Sequence, residues 1–163
     1  DTGTTKVQEK SLDVLEKIET GLGDMMFSGV TALCGSSFWR KLIGHAMVKE
    51  AYMYQQSDRL RADGRESFSF GGITWERYRG GVGGTPFVPA AKAYAIPTGA
   101  EDLFISRFAP ANYASTVNTL GLPMYSSSEP MRHDKGVELE AQSNPIHLCT
   151  RPQAVIELNE HNG

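Results

Sequence analysis

The chain has no apolar run approaching the roughly 20 residues that a membrane-spanning helix needs, which excludes a protein embedded in a bilayer by such a helix. It has only two cysteines, Cys34 and Cys149. They are far apart and lack the spacing of a metal or redox motif, and their apolar settings suit small buried thiols in a reducing compartment. The four histidines form no H-x-x-x-H pair and no C-x-x-C occurs, so the usual metal patterns are missing and no cofactor is expected. Charge of one sign is scarce as well: the net charge is −3 over 163 residues, whereas general nucleic-acid binders are usually basic. There are no internal repeats. No signal-like segment follows Asp1, and the absence of a leading Met makes a portion of a longer chain the expectation.

What is present is close to a soluble globular average, with 40% hydrophobic and 21% charged residues. A chain of this length can bury a core without disulfides or metals. The distribution of charge is more informative than its sum. Residues 1–24 carry three Lys/Arg and six Asp/Glu, residues 129–163 again three and six, and residues 25–128 ten and seven. Two acidic ends therefore flank a basic middle, which suits complementary contacts between copies of the chain.

The hydrophobic period is helical over 6–22, with Val7, Ser11, Val14, Leu15, Ile18 and Leu22 on one face, Thr5 and Gln8 forming a capping box, and Gly21 and Gly23 marking the end. Val30–Cys34 reads as a buried strand. Ser36 then caps a helix to about His45, and a second helix runs from Val48 to about Gln55. Residues 57–66 are polar and Arg-rich and read as a loop. From Glu66 the period becomes two: Phe68 and Phe70, then Gly71-Gly72, then Ile73, Trp75 and Arg77, which is a hairpin signature. Gly80–Pro86 is a Gly-rich loop. Further strands are expected at 91–96, 137–141, 145–149 and 154–158, with turns and short helix up to Asn118 between the first two. The expected class is α+β.

Each candidate for chemistry has an ordinary alternative. Cys34 precedes a helix N-terminus, where the dipole favours a thiolate, so a thiol-dependent hydrolase using Cys34 with His45, His133 or His147 is one reading. A buried structural cysteine is the other. Glu138 and Glu140 share a strand face and could act as paired carboxylates, or simply be solvated. The glycine run lacks the Lys-Ser/Thr of a phosphate-cradling loop. Trp75, Arg77, Tyr78 and Arg79 interleave aromatic and basic residues, a pattern that suits stacking on single-stranded nucleic acid. The same residue types are enriched at protein–protein hot spots. With Arg59, Arg61 and Arg65 of the polar loop, they are the candidate intersubunit contacts. No catalytic or metal-ligating set stands out.

Several long motifs carry a family resemblance. They are Lys92-Ala93-Tyr94-Ala95-Ile96-Pro97 with Gly99-Ala100-Glu101-Asp102-Leu103-Phe104, Phe108-Ala109-Pro110-Ala111-Asn112-Tyr113, and Val117-Asn118-Thr119-Leu120-Gly121-Leu122-Pro123. The most specific is Asp134-Lys135-Gly136-Val137-Glu138-Leu139-Glu140-Ala141-Gln142-Ser143-Asn144-Pro145, with His147-Leu148-Cys149-Thr150-Arg151-Pro152 after it. The sequence resembles the major capsid proteins of lambda-like tailed phages, the capsid protein E family, and within it the C-terminal half.

The resemblance implies a Hong Kong 97-type subunit, with residues 1–128 similar to its axial domain and 129–163 to strands returning to its peripheral domain. Nothing in the sequence corresponds to the N-terminal arm, extended loop or spine helix of that fold. The implied role is structural rather than enzymatic. Copies would form hexamers and pentamers of an icosahedral shell that encloses DNA without reading its sequence. Scaffold, portal and head-decoration proteins would be partners, with the virion as location and the host bacterial cytoplasm as the place before assembly.

Overall fold

The computed structural model describes residues 6–55 and 67–160. The fold is mixed α+β, mostly sheet with few helices, as the change of hydrophobic period along the sequence suggests. The chain divides into two compact units, one of residues 1–101 and 151–163 and the other of residues 102–150.

In the first unit, α1 (Val7–Leu22) leads to β1 (Gly29–Cys34), followed by α2 (Ser36–Gly44) and α3 (Ala46–Gln55). The hairpin strands β2 (Phe68–Phe70) and β3 (Ile73–Arg77) come next, then a short hairpin of β4 (Gly81–Val82) and β5 (Thr85–Pro86). Strands β6 (Lys92–Thr98) and β11 (Ile156–Asn159) complete a five-stranded sheet of order β11-β6-β1-β3-β2. Only β1 and β3 are parallel. A parallel pair requires a long crossover, and the segment containing α2 and α3 supplies it.

Alternation along β1 and β6 buries Val30, Ala32 and Cys34, and Ala93, Ala95 and Pro97. The register places Ala95, Ala32, Trp75 and Phe68 in one row across four strands. Helix α2 lays its aromatic pair over this row. Phe38 stacks with Trp75 at a centroid distance of 6.3 Å, and Trp39 tilts against Phe68 at 5.4 Å. The indole Nε1–H of Trp75 donates to the Phe70 carbonyl at 3.1 Å, so the buried ring leaves no polar atom unpaired.

Glycines permit three close approaches. Gly71 and Gly72 have φ of 61° and 78° and form the β2–β3 turn, as two-residue hairpins require. Ser11 of α1 lies directly against Gly71, which explains a small residue on an otherwise apolar stripe; its Oγ–H donates back to the Val7 carbonyl at 3.0 Å. Gly35 rather than Ser36 stands at the N-cap of α2, and no side-chain cap forms. Instead the Ser37 and Phe38 N–H groups both donate to the Ala90 carbonyl at 2.9 Å. Thr5 of the expected capping box lies outside the described residues, and Lys6 occupies the α1 N-cap without a side-chain cap bond, its ammonium instead donating to Glu9 at 2.6 Å.

The C-terminal segment is tied down at two places. Arg151 donates to the Leu22 carbonyl at 2.7 Å, satisfying an end of α1. Glu160 accepts from Ser37 at 2.9 Å and pairs with Lys41; the Lys41 hydrogen bond holds the Glu160 carboxyl below its usual range. A depressed carboxyl contributes stability above its ordinary value, and that contribution is lost as pH falls.

The second unit holds β7 (Phe104–Phe108), β8 (Tyr125–Pro130), β9 (Val137–Gln142) and β10 (Pro145–Cys149) as two antiparallel ribbons, β7–β10 and β8–β9. The expected boundary at 128/129 falls inside β8. Strands beyond it pair with strands before it: β9 with β8, β10 with β7, β11 with β6. The compact units part at 101/102 and 150/151. Strand pairing across long separations decides which residues fold together.

A Cβ on Gly35 would collide with the Pro89 and Ala90 carbonyl oxygens, both backbone atoms that cannot swing aside. Gly35→Ala is expected to destabilise the chain by about 1–3 kcal/mol in urea unfolding. Gly44→Ala, which meets nothing within 4 Å, is expected to be neutral or mildly stabilising.

Candidate functional site

Cys34 ends β1 with its side chain inward and fully buried. Burial pushes its thiol up to about 12, and a backbone hydrogen bond from Glu76 offsets only part of that. This is opposite to what a nucleophile requires, because the thiolate is the reactive form. Among the described residues no histidine hydrogen-bonds to Cys34; its Sγ–H is directed at the Ala32 carbonyl at 3.6 Å. Both ring nitrogens of His45 are enclosed without a partner, and His147 Nδ1 is bonded to Ser106 Oγ at 2.8 Å. The helix that follows Cys34 spends its first free N–H groups on Ala90, not on a thiolate. Nothing in the geometry supports the hydrolase reading. Among the described residues, no three His, Cys, Asp or Glu side chains are grouped to hold a metal ion. No described helix is long and apolar enough to cross a membrane.

The candidate contact residues separate into three groups. Arg59, Arg61 and Arg65 lie outside the described residues. Trp75 is only 3% exposed and belongs to the core row described above, which corrects its assignment as a surface contact and removes it as a platform for stacked bases. A tryptophan at alternate positions with Ile73 follows the inner face of its strand. Arg77 sits at the end of that face, half-buried, with its Nε enclosed and lacking an acceptor. Tyr78 is half-buried and Arg79 is exposed. Of the four clustered residues, Arg79 is therefore the one that faces solvent freely.

The surface that sequence reading missed is in the second unit. Only Leu103 and Ala111 are buried apolar residues there, whereas Leu120 is 91% exposed and Phe104, Val117, Met124 and Ile146 are also exposed. The β8–β9 ribbon has two unlike faces, because paired residues share a face and neighbours along a strand alternate. Val137, Leu139 and Ala141 lie with Pro130, Ser128 and Ser126 on one face; Glu138, Glu140 and Gln142 lie with Glu129, Ser127 and Tyr125 on the other. Leu139 is 79% exposed and Val137 63%. Period-two alternation at 137–141 was the available signal for this, but Ser126–Ser128 gave β8 no apolar pattern to complete it.

A ribbon of two strands with both faces in solvent is marginal by itself, and so much exposed apolar surface on one small unit marks a binding surface. The phage major capsid protein E family matches residues 1–159. The chain belongs to this family. It is 36% identical, over 96% of its length, to the major capsid protein of Pseudomonas phage KPP10, covering 50% of that protein. It is 26% identical, over 74% of its length, to the major capsid protein of Salmonella phage Felix O1, covering 42% of it. The chain thus spans about half the length of these curated capsid relatives.

Three outcomes follow for this capsid-family chain. Trp75→Ala is expected to cost about 3–5 kcal/mol in chemical unfolding, whereas Arg79→Ala is expected to stay within about 0.5 kcal/mol. Thiol alkylation of the native chain is expected to label half-buried Cys149 first and Cys34 only on unfolding. The raised Cys34 thiol also fixes a sign. The unfolded thiol ionises near 9.0 while the folded one stays protonated, so stability is expected to fall as pH rises from 9.0 towards about 12.

Proposed function

We propose that this chain is part of a structural phage or prophage head protein that self-assembles into an icosahedral shell around the DNA genome. The observation that carries the reading is family membership over residues 1–159. The exposed apolar surface of residues 102–150 supports it, because surface of that kind marks an interaction site. The protein acts by repeated contact between copies, not by catalysis. Each contact is modest, yet repetition around closed rings makes departure of one subunit slow.

On this reading the fold is of the Hong Kong 97 type. The sheet-and-helix unit corresponds to the axial domain, and residues 102–150 to an excursion into the peripheral domain. Strand β11, which rejoins the sheet beside β6, supports placing the chain end in the axial part. Copies form hexamers and pentamers, with scaffold, portal and head-decoration proteins as further partners. The DNA is enclosed without sequence-specific contact. The protein gathers in the host cytoplasm and ends in the virion.

Electron microscopy of the complete head protein expressed by itself tests the proposal. Rings or closed shells are the expected outcome. A product that stays monomeric at high concentration would overturn it.

A further inference from the structure

The polar face of the β8–β9 ribbon carries an unresolved repulsion. Glu129 and Glu138 are directly opposite one another in the register, and Glu140 lies two residues along on the same face. Opposed side chains on a ribbon sit about 5 Å apart at Cβ, where like charges are destabilising. All three carboxylates are exposed, and none forms an ion pair among the described residues. The strands themselves contain no Lys or Arg; Arg132 and Lys135 lie in the connecting segment and pair with none of the three. Antiparallel pairing would bring these charges together at a cost unless a cation from elsewhere offsets it.

The first unit presents a surface of the opposite character. Residues 77–87 contain Arg77 and Arg79 and no acidic residue. Arg79 is exposed and has no ion pair among the described residues. Beside it in the chain, Val82 is 69% and Phe87 62% exposed. This corner is held in shape: the Phe87 N–H donates to the Gly80 carbonyl at 3.0 Å, and β4 pairs with β5. A fixed corner loses little freedom when it binds, and an exposed aromatic beside an arginine has the composition of an interface anchor.

We infer that the carboxylate face of the β8–β9 ribbon receives the Arg79–Phe87 corner of a second copy of this chain. Charge complementarity selects the occupant: three uncompensated carboxylates on one surface, and the exposed Arg79, with no ion pair among the described residues, on the other. The two surfaces are different patches of the same chain, which permits a heterologous contact that propagates from copy to copy, as a ring requires. The inference rests on the assembly reading and names the surfaces that serve it.

The test is sedimentation velocity of the complete head protein in three forms beside the unaltered one: Arg79→Glu, Glu138→Lys with Glu140→Lys, and all three changes together. Circular dichroism monitors folding, and the changed residues are all exposed. Each reversal is expected to weaken self-association about tenfold, and the combined form to recover most of it. Reversed forms that associate like the unaltered chain would overturn the inference and leave the capsid reading standing. Reversals that weaken association without recovery in the combined form would overturn the pairing of these two surfaces. An unaltered complete protein that stays monomeric would instead remove the assembly reading beneath it.

Discussion

The sheet of the first unit depends on how closely an aromatic layer can approach it. Ala32 and Ala95 are opposite each other on adjacent strands, and Trp75 and Phe68 continue their row. Two methyl side chains next to an indole leave the depth into which α2 sets Phe38 and Trp39. Interiors pack as densely as organic crystals, so a larger residue at either alanine would force the rings outward, and a smaller one at Trp75 would leave a cavity. The same row fixes the strand order. Trp75 completes it because β3 lies beside β1, and since that pair is parallel the chain needs the long crossover through α2 and α3.

The two units solve the problem of burial differently. The first encloses its apolar residues within the chain: Ile18, Leu22, Val48 and Ile73 are essentially inaccessible. The second spends its backbone hydrogen bonds on two ribbons and a set of turn contacts, such as Asn144 to the Pro110 carbonyl at 3.0 Å, and leaves most of its large apolar residues in solvent.

Much of the first unit was legible because its signals are local. The α1 stripe, the β1 run and the Gly71-Gly72 hairpin each depend on a spacing within a few residues, and each formed where the pattern placed it. The α2 N-terminus did not follow its local signal: Ser36 looked like a cap, but the Ala90 carbonyl, more than fifty residues away, satisfies those N–H groups. Strands β7 and β8 were hidden for a related reason. Phe104–Phe108 mixes apolar and polar residues, and Tyr125–Pro130 is mostly serine; both are strands because β10 and β9 pair with them. Trp75 carried a misleading signal. Trp, Tyr and Arg in succession suggest an interface, and only the sheet shows that the indole faces the core while Arg79 faces out.

The sequence by itself determined the class of the fold, the helices and the central strands, and, through long ordered motifs, the family. These are properties of spacing and residue identity, which the chain carries without folding. The tertiary structure alone decided which residues are surface. It turned Trp75 inward, raised the Cys34 thiol above its ordinary value, divided the chain into compact units at 101/102 and 150/151, and set Glu129 opposite Glu138. Each of these depends on a register between segments far apart in the chain. Periodicity cannot express such a register, because it describes one segment at a time.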